Sequence, residues 1–256
     1  MSRLVSGIVL AAAALAAVLF LPVFALRVVV SVIAALAAYE YLRIVGADLR
    51  VFPAAAIVAW VLSGPVGVVA LWLLVLMTFA LVAAGVLFSG HDAPRAAAGT
   101  FSMVYIGVPL GLLVMVHDGF GWQATLLLIG TVVVSDSMQY YTGRMFGRHP
   151  LAPTVSPKKT IEGAIGGVVF GALFVTIAGT YVFAGVGLVP LAVLGVVVVT
   201  LGIIGDLFES RLKRQAGVKD SSDLIPGHGG ALDRIDALLF AIPAFWVFVV
   251  MYVGLA

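Results

Sequence analysis

Apolar residues run through this chain in long blocks, and polar residues interrupt them at only a few places. A membrane-crossing helix needs about 20 apolar residues, and by that measure about nine blocks are candidate spans. They are Leu4–Leu26, Val28–Val45, Val51–Ser63, Val66–Phe88, Gly99–Val116, Trp122–Tyr141, Ile161–Ala184, Leu188–Phe208 and Ile235–Val253. The third is short and stops at Ser63, Gly64 and Pro65. Pro22, Pro109, Gly166, Gly167 and Gly171 lie inside blocks, where neighbouring helices satisfy the backbone and small residues permit close approach. The pattern predicts an all-α integral membrane protein, a polytopic bundle of about nine transmembrane helices joined by a few polar loops.

Composition supports this reading. Of 256 residues, 63% are hydrophobic and only 10% charged, which no ordinary soluble domain shows. The absence of cysteine excludes disulfides, thiol chemistry and cysteine-bound metals, and a net charge of +2 gives no basis for nucleic-acid binding. The first block lacks a clear small-residue cleavage site and is expected to be a retained helix. When alternate loops are counted from the N-terminus, only Arg27 of the 14 basic residues falls on the minority side. The positive-inside rule then places the N-terminus and the large polar loops in the cytoplasm, at the inner (cytoplasmic) membrane. Residues 1–118 would carry the N-terminal helices. Residues 119–256 would form the catalytic region, with polar loops at about 142–161 and 209–234, in one integrated membrane domain.

Charge is concentrated in one place. Six of the twelve acids, Asp206, Glu209, Asp220, Asp223, Asp233 and Asp236, lie between Gly205 and Asp236, with five bases among them. A solvated loop is the simplest explanation, but three features favour a metal and phosphate site. Pro226, Gly227, His228, Gly229 and Gly230 place mobile backbone N–H groups beside acids. A helix starting near Leu232 would put Asp233 and Asp236 on one face. Asp206 sits near the end of an apolar block, where an unpaired acid is costly. Oxygen ligands of this kind suit Mg²⁺ that also binds substrate phosphates.

A second polar stretch runs from Ser135 to Gly163. Asp136 needs a partner near the end of its span. Ser156, Lys158, Lys159 and Thr160 offer donors to phosphate ahead of a helix N-terminus, where Glu162 suits the positive end of the dipole. Arg144, Arg148 and His149 suit anionic headgroups as well as substrate. Glu40 is expected to be a buried, locally paired acid without a catalytic role.

Ser210-x-x-Lys213-Arg214, Lys219-Asp220, Pro226-x-His228-Gly229-Gly230 and Asp233-Arg234-x-Asp236 together resemble the signature of the phosphatidate cytidylyltransferases (CDP-diacylglycerol synthases). Asp136, Tyr140, Gly143, Gly147, Leu151-Ala152-Pro153, Ser156-Pro157-Lys158-Lys159-Thr160 and Glu162-Gly163 resemble that family's upstream segment. The resemblance is strong over about residues 130–255, with Ala231 and Gln139 as departures. It implies transfer of CMP from CTP to phosphatidate, giving CDP-diacylglycerol and pyrophosphate, with Mg²⁺ and room for a second cation.

By that resemblance Asp206, Asp233, Asp236 and Asp220 are metal ligands, and Lys219 and His228 join them as catalytic residues. Lys213, Arg214, Lys158 and Lys159 hold phosphates. Ser156, Thr160, Ser210, Gly229, Gly230 and Arg234 complete the substrate contacts. The partners implied are CTP, phosphatidate and bilayer lipid, and Gly163, Gly167 and Gly171 suit either internal helix contacts or a homodimer. The alternatives are a CTP-dependent lipid-alcohol kinase, a divergent paralogue with another lipid acceptor, and an ion-coupled transporter.

Overall fold

The computed structural model describes residues 2–47, 57–58, 60–61, 93–224 and 229–254. Two helices open the chain, α1 (Ser2–Phe20) and α2 (Val23–Ile44). Their boundary corrects the expected one. The break falls at Leu21 and Pro22, not at Arg27, which lies inside α2. Pro22 is the N-cap of α2 at φ −63° and ψ 154°. Its ring removes a donor that a continuous helix would need and disfavours helical backbone at Leu21, so the proline decides the boundary. The spans expected over Val51–Ser63 and Val66–Phe88 lie almost wholly outside the described residues.

The chain continues as α3 (Ala93–Ser102), a π-helical stretch over Met103–Gly107, and α4 (Val108–Phe146). The helical run Ala97–Phe146 is 50 residues long and is broken into two helices by a kink at Gly121. Its length is too great for one crossing of a hydrocarbon core about 30 Å thick. The expected loop at residues 117–121 reduces to one non-helical residue, Gly121, at φ 82° and ψ 174°. Only glycine adopts that backbone readily.

An antiparallel hairpin follows, β1 (Pro150–Ala152) and β2 (Ser156–Thr160), a short addition to a chain that is otherwise helical, as expected. Pro150 pairs with Thr160 and Ala152 with Ser156, and the register shifts between them. Three more helices complete the chain: α5 (Ile161–Val182), α6 (Leu188–Gln215) and α7 (Leu232–Tyr252). Among the described residues, five helical runs are long and apolar enough to cross a bilayer.

The chain divides into two compact units. The first comprises Met1–Asp118 and Gln215–Ile235. Within it, Arg27 near the start of α2 pairs with Asp118 at 3.1 Å. Near the other end of α2, the Tyr41 hydroxyl donates to the Ala98 carbonyl at 2.8 Å and the Arg43 guanidinium donates to the Ser221 carbonyl.

The second unit comprises Gly119–Arg214 and Asp236–Ala256. Its helices meet through glycine. A Cβ on Gly166 would lie 2.2 Å from Thr142 Oγ1, one on Gly171 2.5 Å from Val199 Cγ2, and one on Gly195 2.5 Å from the Cα of Ala172. Gly163, Gly167 and Gly171, weighed for a homodimer, are buried against residues of their own chain.

Candidate active site

In the second unit three carboxylates come from three helices. Asp136 lies on α4, Asp206 on α6 and Asp236 on α7. Each is close enough to act electrostatically on the others. The approach of α6 to α7 depends on Gly205, where a Cβ would sit 2.6 Å from the Asp236 carbonyl oxygen. Gln139 Nε2 donates to Asp136 Oδ1 at 3.0 Å, and Ser210 Oγ donates to Asp206 Oδ1 at 3.3 Å from one turn along α6. The backbone N–H of Ala237 donates to Asp236 Oδ1 at 2.8 Å.

The hairpin brings a cation to this cluster. Side chains alternate between the two faces of a strand, so β2 separates its adjacent lysines. Lys159 is partly buried and its ammonium donates to Asp206 Oδ2, while Lys158 is exposed. Local bonds fix the hairpin against α5. Thr160 is the N-cap of α5, and its Oγ1 accepts from the Gly163 N–H at 3.1 Å. Glu162 accepts from the backbone N–H groups of Arg148 and His149 at 3.0 and 3.3 Å and pairs with His149 Nδ1 at 2.6 Å. Ser156 is half-buried at the start of β2. Lys213 pairs with Glu209 at 2.6 Å, both buried, as a charge removed from water requires. Arg214 lies exposed in the last turn of α6.

The first unit holds the glycine turn and Asp233. Asp233 Oδ2 accepts from the Gly230 N–H at 2.7 Å and the Ser221 N–H at 2.9 Å, and lies 2.8 Å from Ser221 Oγ. The N–H of Gly230, expected to face phosphate, is therefore given to Asp233. Both glycines are needed here. Gly229 has φ +76°, and a Cβ on it would come within 2.4 Å of Asp233 Oδ2. A Cβ on Gly230 would come within 2.2 Å of Ser221 Oγ and 2.3 Å of Glu40 Oε2. Lys219, Asp220 and Arg234 are exposed. His228, with Pro226 and Gly227, lies outside the described residues. Asp206 and Asp233, read together from the sequence, fall in different units.

Glu40 corrects another expectation. It is buried at 4% exposure, but its partners are 181 to 192 residues away and none is local. Only its position in an apolar helix flagged it in the sequence, and nothing local could name Ser221, Ser222, Ala231 and Leu232 as partners. Asp136 was legible as an acid in need of company, but Asp206 and Asp236 as its neighbours were not. Among the described residues, no three His, Asp or Glu side chains form a ready-made metal cage.

The helices and this acidic and basic cluster define an integral membrane protein with a polar site set into apolar surroundings. The chain belongs to the cytidylyltransferase family, whose model matches residues 1–252. It is 39% identical over 148 residues to a phosphatidate cytidylyltransferase of Aquifex aeolicus, covering 58% of this chain and 55% of that one. A protein of the same name from Haemophilus influenzae is 43% identical over 137 residues, covering 52% and 48%. Another from Thermotoga maritima is 37% identical over 159 residues, covering 59% and 58%. In these alignments the chain spans roughly half the length of the relatives it matches.

Proposed function

We propose that this chain transfers CMP from CTP to phosphatidate, giving CDP-diacylglycerol and pyrophosphate, in the inner (cytoplasmic) membrane. The observation that carries this reading is the meeting of Asp136, Asp206 and Asp236 with Lys159 in a chain of the cytidylyltransferase family. An oxygen of the phosphatidate phosphate attacks the α-phosphorus of CTP, forming the new P–O bond as the bond to the β-phosphate oxygen breaks. Pyrophosphate leaves with that electron pair. The attacking phosphate is an anion near neutral pH, so no strong base is needed, and the protein's task is alignment and charge compensation.

The residues present fit Mg²⁺. Asp136, Asp206, Asp236 and Glu209 bring four carboxylates to a region where Lys159 and Lys213 supply two ammonium groups. The formal imbalance is that of one divalent cation. Carboxylates that form no closed cage among the described residues suit an ion that keeps waters and takes phosphate oxygens as ligands. Asp206 and Asp236 would hold it, and Asp233 is assigned a metal-ligand role by resemblance. When bound, the ion would neutralise phosphate charge as it builds up in the transition state. Lys159 holds Asp206 in place and offers its ammonium to an arriving phosphate. Ser210 and Gln139 orient Asp206 and Asp136.

The acyl chains need an apolar slot. A cleft of ≈ 310 Å³ between α4 and α5, lined by Val134, Met138, Phe170, Phe174 and Ile177, is assigned that role. The expected orientation requires certain loops to share a side of the membrane, and the contacts at both ends of α2 agree with that grouping. Arg27 and Asp118, both expected outside, pair with each other, while Glu40 and Arg43 bond to the loop expected in the cytoplasm.

The test is a product assay on purified protein with phosphatidate and CTP labelled at either the α- or the γ-phosphate. Label from the α-phosphate is expected in the lipid. Entry of γ-label alone would establish a kinase and refute the proposal.

A further inference from the structure

Four hydrogen-bonding groups converge on Glu40, although no chemistry was expected of it. Its Oε2 accepts from the Leu232 N–H at 2.8 Å and lies 2.9 Å from Ser221 Oγ. Its Oε1 accepts from the Ala231 N–H at 3.1 Å and from the Ser222 hydroxyl. One side chain on α2 thus ties down both edges of the segment leading into α7, at the residues just before and at the helix start. It also stands in for the missing partners of two N-terminal N–H groups, and its negative charge suits that end of the dipole. Ser221 joins it to Asp233. The hydroxyl lies 2.9 Å from one carboxylate and 2.8 Å from the other, and its single proton serves one at a time. Gly230 lies against Ser221 and both Glu40 oxygens with no room for a Cβ.

We infer that Glu40 is a positioning residue for the transfer reaction: through Ser221, Ala231 and Leu232 it sets the orientation in which Asp233 presents its carboxylate. The role rests on the nucleotidyl-transfer reading above and goes beyond it, because Glu40 itself touches no substrate in this assignment. Four donors, two on each oxygen, also determine the informative substitution. In Glu40→Gln, either flip of the amide aims its NH₂ at one backbone N–H and one serine. A serine hydroxyl can turn to accept, but a backbone N–H cannot. At least one backbone bond to the segment must therefore break, with little change of volume.

The experiment compares wild type and Glu40→Gln in three measurements: hydrogen exchange of the 229–232 amides without Mg²⁺, the Mg²⁺ concentration giving half-maximal rate, and KM for phosphatidate. Exchange in the segment should quicken by about tenfold or more, since a charge-assisted bond is lost. Half-saturating Mg²⁺ should rise by about 10- to 100-fold, as for other groups that orient a metal ligand. KM for phosphatidate should stay within about threefold, because no lipid contact is removed. A merely structural residue would lower the melting temperature and leave the Mg²⁺ requirement of the surviving enzyme as it was, and that result overturns the inference. Unchanged exchange overturns it too. Ser221→Ala, which removes only the bridging hydroxyl, must shift the Mg²⁺ requirement in the same direction, and a wild-type requirement in that variant refutes the link even where Glu40→Gln fails to insert. If wild type moves no α-label into lipid, the reaction assignment fails and this role with it, while the exchange measurement still reports separately whether Glu40 holds the segment.

Discussion

Replacing each of the two adjacent lysines of β2 in turn separates the contribution of structure from that of sequence. By sequence Lys158 and Lys159 are equivalent cations before a helix. In the structure Lys159 bonds to Asp206 with 22% of its side chain exposed, and Lys158 lies exposed on the opposite strand face. In Lys159→Met, Asp206 keeps the 3.3 Å bond from Ser210 but loses its ion pair while still facing Asp136 and Asp236. A hydrogen bond to a charged group contributes about 1.5–3 kcal/mol. Both partners are less than a third exposed, so solvent screens the pair only weakly. At about 1.4 kcal/mol per factor of ten, the expected loss in kcat/KM is roughly 10- to 150-fold. Lys158→Met removes an exposed charge whose contribution is about 0–1 kcal/mol, so its loss should stay within about fivefold. The assay is transfer of α-labelled CMP to phosphatidate in detergent micelles at fixed Mg²⁺, with folding checked by thermal denaturation. Equal losses in the two variants, or a larger loss in Lys158→Met, would refute the facing assigned to β2 and Lys159's place at the cluster.

Two further measurements test the packing and the orientation. Gly195→Ala places a Cβ 2.5 Å from the backbone Cα of Ala172, which no side-chain rotation relieves. α5 and α6 must part, at about 1–3 kcal/mol, seen as a lower melting temperature in detergent, while Gly187→Ala, whose nearest neighbour is 3.7 Å away, should match wild type. The chain has no cysteine, so a single Lys158→Cys reports cleanly on topology. It should resist an impermeant thiol reagent in intact cells and react after lysis, and ready labelling in intact cells would invert the orientation.

The long apolar helices were legible because burial in lipid demands an apolar side chain at nearly every position, a signal that survives without knowledge of partners. Their ends were less so. Arg27 looked like a boundary because charge is costly in a membrane, but its pairing with Asp118 lets it stay within α2, and the real break is at Pro22, where a backbone donor is missing. The hairpin was hidden for a different reason. Ser-Pro-Lys-Lys-Thr has little strand preference, and its pairing depends on Pro150 and Ala152, and on the bond from the Ile161 N–H to the His149 carbonyl. At the site, residue types and spacings pointed to Asp206, Lys159 and Asp236, and the family resemblance added Ser210. Which lysine of a pair faces inward depends on a contact 47 residues away, and the Gly230 N–H is taken by Asp233, three residues on, in a turn that Ser221 joins from 12 residues before Asp233, which local pattern does not encode.

The acids themselves differ in a way that separates support from chemistry. Glu40 collects four donors, two of them backbone N–H groups, so its charge is largely met by neutral dipoles and it has little need of a further cation. Asp136, Asp206 and Asp236 stand within reach of one another, with Gln139, Ser210 and the Ala237 N–H as hydrogen-bond donors and Lys159 as the ammonium paired to Asp206. Mutual repulsion raises the energy of this cluster until positive charge arrives, and hydrogen bonds from neutral groups relieve it only in part. A carboxylate whose demand is met within the fold can fix a loop, whereas a set whose demand exceeds its supply would draw in a cation, as proposed above, and any phosphate travelling with that cation would then be brought beside Lys159. On this argument the distinction between Glu40 and the aspartate cluster lies in the ratio of donors to charge rather than in burial or residue type.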